Sequence, residues 1–343
     1  MKILVTGSDK VYAIEKLYIR YLKEIGEDVE LFPAQSIFYD YYGRSIGNKL
    51  MYRLGLSGIL KQINAQLKKK IEGWSPDVIW AFKGMEIFPE TWRWAARRGI
   101  KLVNYNPDSP FVFSGNGSGN KNVTDSIGLF DLHFTYNYSI KEQLEREFDK
   151  PVAYLPFGFD VSEPVYNLAH NQQEVLKLCF LGNPDEARAS FIRQMAEAGI
   201  PIDVYGNDWK NFLTHKNIRP FDPVYGEDFW KVLYKYRVQL NLMRLHNPDS
   251  HNMRTFEVPG IGGIMLAPLT REHSLFFEDG KEAFFFRDPE EAIDKVKLLI
   301  GMSATDAGRV REAARSRCVS SGYSYRDRAI FALSELKGLS LSH

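Results

Sequence analysis

The 343 residues carry 44 Lys and Arg against 43 Asp and Glu, a formal net charge of +1, which excludes recruitment of a polyanion by global charge. With 44% hydrophobic and 25% charged residues the chain is globular rather than disordered, and its length suits two domains of roughly 150 residues each. The two cysteines, Cys179 and Cys318, form no CxxC pair or disulfide framework, so a reducing, cytoplasmic setting is expected. The apolar start at residues 2–6 is too short for a signal peptide and reads as a first buried strand. No run of about 18 apolar residues is present, so no membrane-spanning helix is expected.

Short β-branched runs alternate with helical-period segments. Residues 2–6 predict a strand, 13–25 an amphipathic helix closed by Gly26, and 28–32 a second strand. A long basic stretch, 48–72, has helical spacing. Further strands are expected at 77–81, 101–104 and 132–135, separated by a helix at 89–98 and a Gly/Asn/Ser-rich loop at 113–122. Residues 151–160 run from a strand into a Pro/Gly turn, and 162–173 are polar and aperiodic, the place for a domain linker. A second winding follows, with strands at 176–180, 202–205, 239–243, 263–267 and 283–286. Its helices are expected at 184–198, 228–237 and 252–259, from Pro289, from Ser303, and at 325–336. The pattern is that of two Rossmann-like, doubly wound parallel-sheet α/β domains, 1–160 and 161–322, with a final helix in 323–343 crossing back to the first. Ligands of such sheets bind beyond the carboxyl ends of the strands, and a cleft between two of them is the default active site.

The stretch richest in chemistry is Asn247-Pro-Asp-Ser-His-Asn-Met-Arg-Thr-Phe-Glu257 with Pro259-Gly-Ile-Gly-Gly263 behind it. Asp249, Ser250 and Asn252 are N-cap types ahead of a short helix whose free N–H groups suit a diphosphate. Arg254, in the first turn, adds a charge-assisted donor for the same phosphates. Glu257 is placed to accept both hydroxyls of a ribose, and Gly260 and Gly262 leave room for a ligand against the backbone. Taken singly, Glu257 also reads as a helix-surface carboxylate and Asp249 as a plain cap.

The string His251-Asn-Met-Arg-Thr-Phe-Glu257, Pro259-Gly-Ile-Gly-Gly263 and Glu272-His-Ser-Leu-Phe-Phe-Glu-Asp-Gly-Lys-Glu-Ala283 resembles the spore-maturation-protein (CgeB-like) family of GT-B glycosyltransferases. The first half of the chain is similar only in layout, through Asp108-Ser-Pro110 and residues 154–160. The spacing from Asp249 to Glu257 is similar to the Glu-x7-Glu element of retaining GT-B enzymes, whose second Glu binds the donor ribose and whose first lies by the sugar. This chain departs from that pattern in having Asp at the first position. The resemblance implies a glycosyltransferase, independent of bound metal or other cofactor, that uses a nucleotide diphosphate sugar and an acceptor such as a glycan, lipid-linked molecule, protein or small molecule. A nucleotide-sugar epimerase of the same fold and a non-catalytic sugar- or nucleotide-binding protein are the alternatives.

Other residues fall at expected strand ends. Gly182, Asn183 and Arg188 follow a strand and suit the donor phosphates, although an ordinary βα turn explains them equally. Tyr205 and Trp209 are candidates for stacking on the base, or core aromatics. Ser8, Lys83, Glu86 and Asp108 lie on the carboxyl edge of the first sheet and are acceptor-binding candidates, with Asp108 also a general base for an inverting reaction. His133 reads as a satisfied interior histidine, whereas His251 and His273 are expected to meet the ligand. Residues 48–72, basic and amphipathic, suit peripheral contact with an anionic membrane, or a helix packing its apolar side on the sheet. Asn-x-Ser/Thr matches at Asn116, Asn122 and Asn137 read as chance.

Overall fold

The computed structural model describes residues 1–113, 118–243 and 249–341; Asn116, and Asn247 and Pro248 at the head of the chemistry-rich stretch, lie outside them. The chain divides into two units, Met1–Pro156 with Tyr325–His343, and Phe157–Ser324.

In the first unit the β-branched run Lys2–Thr6 is β1, buried at every position after the first. Helix α1 (Ile14–Glu24) follows and buries Ile14, Tyr18 and Leu22, one side of a 3.6-residue period. Gly26, at φ +92°, closes the turn into β2 (Asp28–Phe32). Three helices come next: α2 (Ala34–Arg44), α3 (Ile46–Arg53) and α4 (Ile59–Trp74). Then β3 (Val78–Phe82), α5 (Pro89–Ala96), β4 (Lys101–Asn106), α6 (Lys121–Thr124), β5 (Leu132–Thr135), α7 (Tyr138–Phe148) and β6 (Val152–Tyr154) complete the winding. The sheet is parallel throughout, in the order β2-β1-β3-β4-β5-β6. Tyr18, Trp80, Phe82 and Tyr105 form an aromatic layer on it, and Tyr325 of the last helix meets Tyr18 edge-on at 5.7 Å.

The second unit holds α8 (Glu163–His170), β7 (Val175–Leu181), α9 (Glu186–Glu197), β8 (Ile202–Tyr205), α10 (Trp209–Phe212), β9 (Ile218–Phe221), α11 (Gly226–Lys235) and β10 (Tyr236–Leu240). It continues with α12 (Arg254–Ile261), β11 (Met265–Pro268), α13 (Arg271–Phe276), β12 (Phe284–Phe286), α14 (Pro289–Gly301) and α15 (Ala304–Ser320). Its sheet is also parallel, ordered β12-β11-β10-β7-β8-β9. The final helix, α16 (Tyr325–Leu341), belongs to the first unit.

Several sequence-based expectations are corrected. The stretch 162–173 is not irregular: α8 starts at Glu163 with Pro164 in its first turn, where a missing N–H costs nothing. The single helix expected over 48–72 is two, α3 and α4, parted at Gly55 and Gly58. The strand expected at 239–243 begins three residues earlier, because Arg237 is buried within it and its charge is met by Glu174 at 2.8 and 2.6 Å. Strand β9 went unseen because Pro220 interrupts it, which an edge strand tolerates.

Candidate functional site

In the second sheet β7 lies between β10 and β8, so the chain reverses its direction of travel between β7 and β10. The loops leaving the carboxyl ends of these two strands flank a crevice, the usual ligand position in such a sheet. One is the turn from Gly182 to Asp185 into α9, and the other includes Asn241 to Met243 and Asp249 to Met253, ahead of α12. Arg188 ties them together, donating to the carbonyls of Asn183 at 3.1 Å and Leu242 at 3.0 Å.

Helix α12 starts without a side-chain cap. Asn252, expected as a cap type, donates instead to Asn241 Oδ1 at 2.7 Å, while Thr255 Oγ1 accepts the Asn252 N–H at 3.3 Å. Arg254 in the first turn donates to Glu257 Oε2 one turn later, and its guanidinium lies 4.5 Å from the Phe229 ring centre. Glu257 is 7% exposed, while the Arg254 side chain keeps 27% of its surface in water. Among the described residues two buried polar atoms here, Arg254 Nε and Asn252 Oδ1, have no hydrogen-bond partner. Such atoms are rare in native proteins and mark a place where a polar ligand or water belongs.

Residues on either side of this pair turn inward. Ser250 and His251 are fully buried; the Ser250 hydroxyl donates to Glu272 Oε2 at 2.8 Å and His251 Nδ1 to the same atom at 2.5 Å. His251 Nε2 accepts the Phe157 N–H at 3.3 Å, which leaves the ring proton on Nδ1. His273, also buried, is held between the Pro268 carbonyl and Thr255 Oγ1, and burial lowers its pKa to about 4. The expectation that His251, His273 and Ser250 face the ligand is therefore corrected: they anchor the loop and α12 from behind. Asp249 is exposed, at φ +57°, and accepts the N–H of Arg271 at 2.6 Å, capping α13 from across the loop.

The glycines are also reassigned. Residues 259–261 continue α12 rather than forming an open turn. A Cβ on Gly260 would lie 2.5 Å from the Phe159 ring, and Gly262, at φ +82°, is the C-cap. Both serve close packing and helix termination instead of a ligand. Likewise Trp209 is 1% exposed and donates its Nε1–H to the Gly182 carbonyl at 2.8 Å, and the Tyr205 hydroxyl meets that of Tyr236 at 2.9 Å while its ring stacks on Phe221. Both aromatics are packed in the core, with their polar atoms engaged within the protein. Asn183 is exposed and accepts the Asn207 N–H at 3.0 Å.

In the first sheet the reversal lies between β1 and β3, and the loops after them carry Ser8, Lys83 and Glu86. Glu15 accepts the Ser8 N–H at 2.9 Å, and burial raises its pKa despite that bond. Lys83, at φ +60°, forms an ion pair with Asp108 at 2.5 Å. Glu86 is 5% exposed, and burial pushes its carboxyl up to about 7, with the nearby Lys83 opposing and Glu15 adding to the rise. Beside it opens a cavity of about 560 Å3 whose walls include Phe38, Tyr39, Tyr42 and Tyr52. Sequence reasoning missed this cavity. The dense aromatics of residues 38–42 were its only sign, and helical spacing alone does not separate them from core. His133 is satisfied, as expected, its Nε2 lying 2.9 Å from the Ile127 carbonyl. Asn137 caps α7, and Asn122 donates to the Met85 carbonyl. Among the described residues no group of three or more His, Cys, Asp or Glu is arranged to hold a metal ion, and no helix is long and apolar enough to cross a membrane.

Comparison with known proteins places these sites in context. No curated protein matches the chain by sequence. Sucrose-phosphate synthase from Thermosynechococcus elongatus is similar in structure, with a TM-score of 0.70 at 9% identity over 100% of each chain. HepE from Anabaena, in complex with UDP-glucose, gives 0.66 at 13% identity, covering 98% of this chain and 100% of that one. A putative UDP-N-acetylglucosamine 2-epimerase from Listeria monocytogenes gives 0.60 at 12% identity, covering 100% and 97%. At such identities the likeness is one of fold, the two-sheet GT-B fold of glycosyltransferases. Residues 187–334, which include the Arg254–Glu257 pair, match the Glycosyl transferase-like family.

Proposed function

We propose that the chain is a glycosyltransferase whose second unit binds a nucleotide diphosphate sugar at the start of α12 and whose first unit binds the acceptor. The observation that carries this reading is the Arg254–Glu257 pair at the crevice of the second sheet, accompanied by the unpartnered Arg254 Nε and Asn252 Oδ1. The start of a helix carries roughly half a positive charge, and the guanidinium adds planar donors, so both favour a diphosphate. Arg254 occupies Glu257 Oε2, which leaves Oε1 to accept from the ribose hydroxyls. When the bond from the sugar to the diphosphate breaks, negative charge grows on the leaving oxygen, and Arg254 with the helix start stabilises it. That preorganised charge performs the task for which other enzymes use a bound metal. Gly182, Asn183 and Arg188 line the opposite loop, and Asp249 stands by the sugar.

Two of the similar structures are complexes with UDP-glucose and UDP, which makes UDP-sugars the first donors to test. The motif strings of the second half support the spore-maturation type of transferase. In the first unit Ser8, Lys83 and Glu86 serve the acceptor, and Asp108 either orients Lys83 or takes the acceptor proton. Helix α3 buries no residue and leaves Ile46, Leu50 and Met51 exposed beside Lys49 and Arg53, which supports peripheral contact with an anionic membrane. The epimerase reading draws on the Listeria neighbour.

One experiment separates these readings. The full chain is incubated with UDP-, GDP- and dTDP-sugars, with and without a pool of free and lipid-linked saccharides, and free nucleotide and sugar stereochemistry are followed. Acceptor-dependent release of nucleoside diphosphate is expected. Isomerised donor without acceptor would establish the epimerase instead, and neither product from any donor would end the enzymatic reading.

A further inference from the structure

The cavity of the first unit is assembled from separate elements: Phe38, Tyr39 and Tyr42 on α2, Tyr52 and Arg53 on α3, and Glu86 after β3. Its volume of about 560 Å3 lies within the roughly 300–1,000 Å3 of small-molecule sites. The aromatic wall is ordered by its own contacts, with Phe38 edge-on to Tyr52 at 4.8 Å and Tyr42 perpendicular to Tyr52 at 5.9 Å. The floor is fixed as firmly. Asn64 donates to the Glu86 carbonyl at 2.9 Å and accepts the Phe88 N–H at 2.9 Å, while Asn120 and Asn122 both donate to the Met85 carbonyl at 2.9 Å. Glu86 is thus a 95% buried carboxyl at the edge of a cavity, its backbone clamped on either side, and among the described residues it forms no ion pair.

A wall of ring faces and a buried carboxyl at the floor select a particular chemistry. A lipid tail would leave Glu86 desolvated and unmatched, at the cost that any buried polar group without a partner incurs. A cation would meet Arg53 in the wall and Lys83 beside the floor. A phosphorylated ligand would find Arg53 in the wall, since Lys83 is paired with Asp108, but would have to press its charge against the Glu86 carboxyl in a low-dielectric cavity. A sugar ring fits both surfaces, since its C–H face lies on aromatic rings and its hydroxyls donate to carboxyl oxygens.

We propose that this cavity is the acceptor site and that the acceptor is an uncharged saccharide, stacked on the tyrosine wall and donating a hydroxyl to Glu86. The proposal rests on the reading of the first unit as the acceptor half, and it narrows that reading to one cavity and one substrate class. Its test is saturation-transfer NMR on the full chain with methyl glucoside, methyl mannoside, methyl galactoside, N-acetylglucosamine, their disaccharides, and glucose 6-phosphate. The same samples are scored for the thermal shift produced by UDP. At least one uncharged saccharide is expected to bind, and Tyr52→Ala and Glu86→Ala each to weaken it by about tenfold or more while the UDP shift stays as in the wild type. Should Tyr52→Ala not fold, Tyr39→Ala, at a residue 44% exposed, serves in its place. The proposal is overturned if no saccharide binds, if the phosphate binds better than its uncharged counterparts, or if the variants bind as the wild type does. A saccharide that binds where UDP gives no shift would uphold this site and remove the donor reading instead.

Discussion

Glu86 makes the stability of the chain depend on pH in a way that one substitution removes. Its carboxyl titrates at about 7 in the folded protein against an ordinary 4.5, chiefly because burial penalises the charged form. Its own backbone N–H and Lys83 pull the value down, and Glu15 pushes it up. The folded chain therefore holds this proton more tightly than the unfolded chain. The stability this carboxyl contributes is fully present below pH 4.5 and is lost as pH rises through 7, by about 3 kcal/mol at about 1.36 kcal/mol per pH unit. Glutamine has the shape of the protonated acid and no charge to desolvate. Glu86→Gln should match the wild type near pH 4.5 and exceed it by about 3 kcal/mol at pH 8, as measured by urea denaturation at both values. Glu15 contributes a fall of the same sign in both proteins, since burial raises its pKa too, so the difference between them reports Glu86 together with its repulsion of Glu15. Parallel pH profiles for the two proteins would refute the buried-carboxyl argument.

Other substitutions test the reassigned residues. Glu272→Ala removes the shared acceptor of Ser250 and His251 and should cost about 3 kcal/mol in chemical denaturation, with weaker nucleotide binding as the loop behind α12 loosens. Gly260→Ala drives a Cβ into the Phe159 ring and should cost about 1–3 kcal/mol, seen as a lower melting midpoint. Trp209→Phe loses the bond to the Gly182 carbonyl and leaves part of the indole's space empty in the core; it should cost about 2–4 kcal/mol yet leave nucleotide affinity within about twofold, whereas a large loss of affinity would restore Trp209 as a base-stacking residue.

The parallel winding was legible because buried strands such as Lys2–Thr6 and Leu132–Thr135 are short β-branched or aromatic runs between helical periods. Where a local rule was broken for a tertiary reason, the reading slipped, as with Arg237 neutralised by Glu174 inside β10 or Pro220 on an edge strand. The site was legible in position more than in detail. The string from Asp249 to Glu257 does sit at the crevice, yet polar letters do not announce which way they face. Ser250 and His251 point into a buried network because Glu272, some twenty residues further on, is there to receive them. Tyr205 and Trp209 follow a strand at the carboxyl edge, as a base-stacking residue would, but their polar atoms are spent on Tyr236 and Gly182. The aromatic cavity comes from residues on several elements between Phe38 and Asn120, a juxtaposition that only the fold creates.

Isothermal titration of UDP, GDP, dTDP and CMP into the wild type and Glu257→Ala shows whether Glu257 and Arg254 hold a nucleotide. At least one nucleotide should bind the wild type, and the variant should bind it about tenfold or more weakly, through loss of charge-assisted hydrogen bonds to the ribose. Equal affinity in both proteins, or no binding by either, would contradict this role.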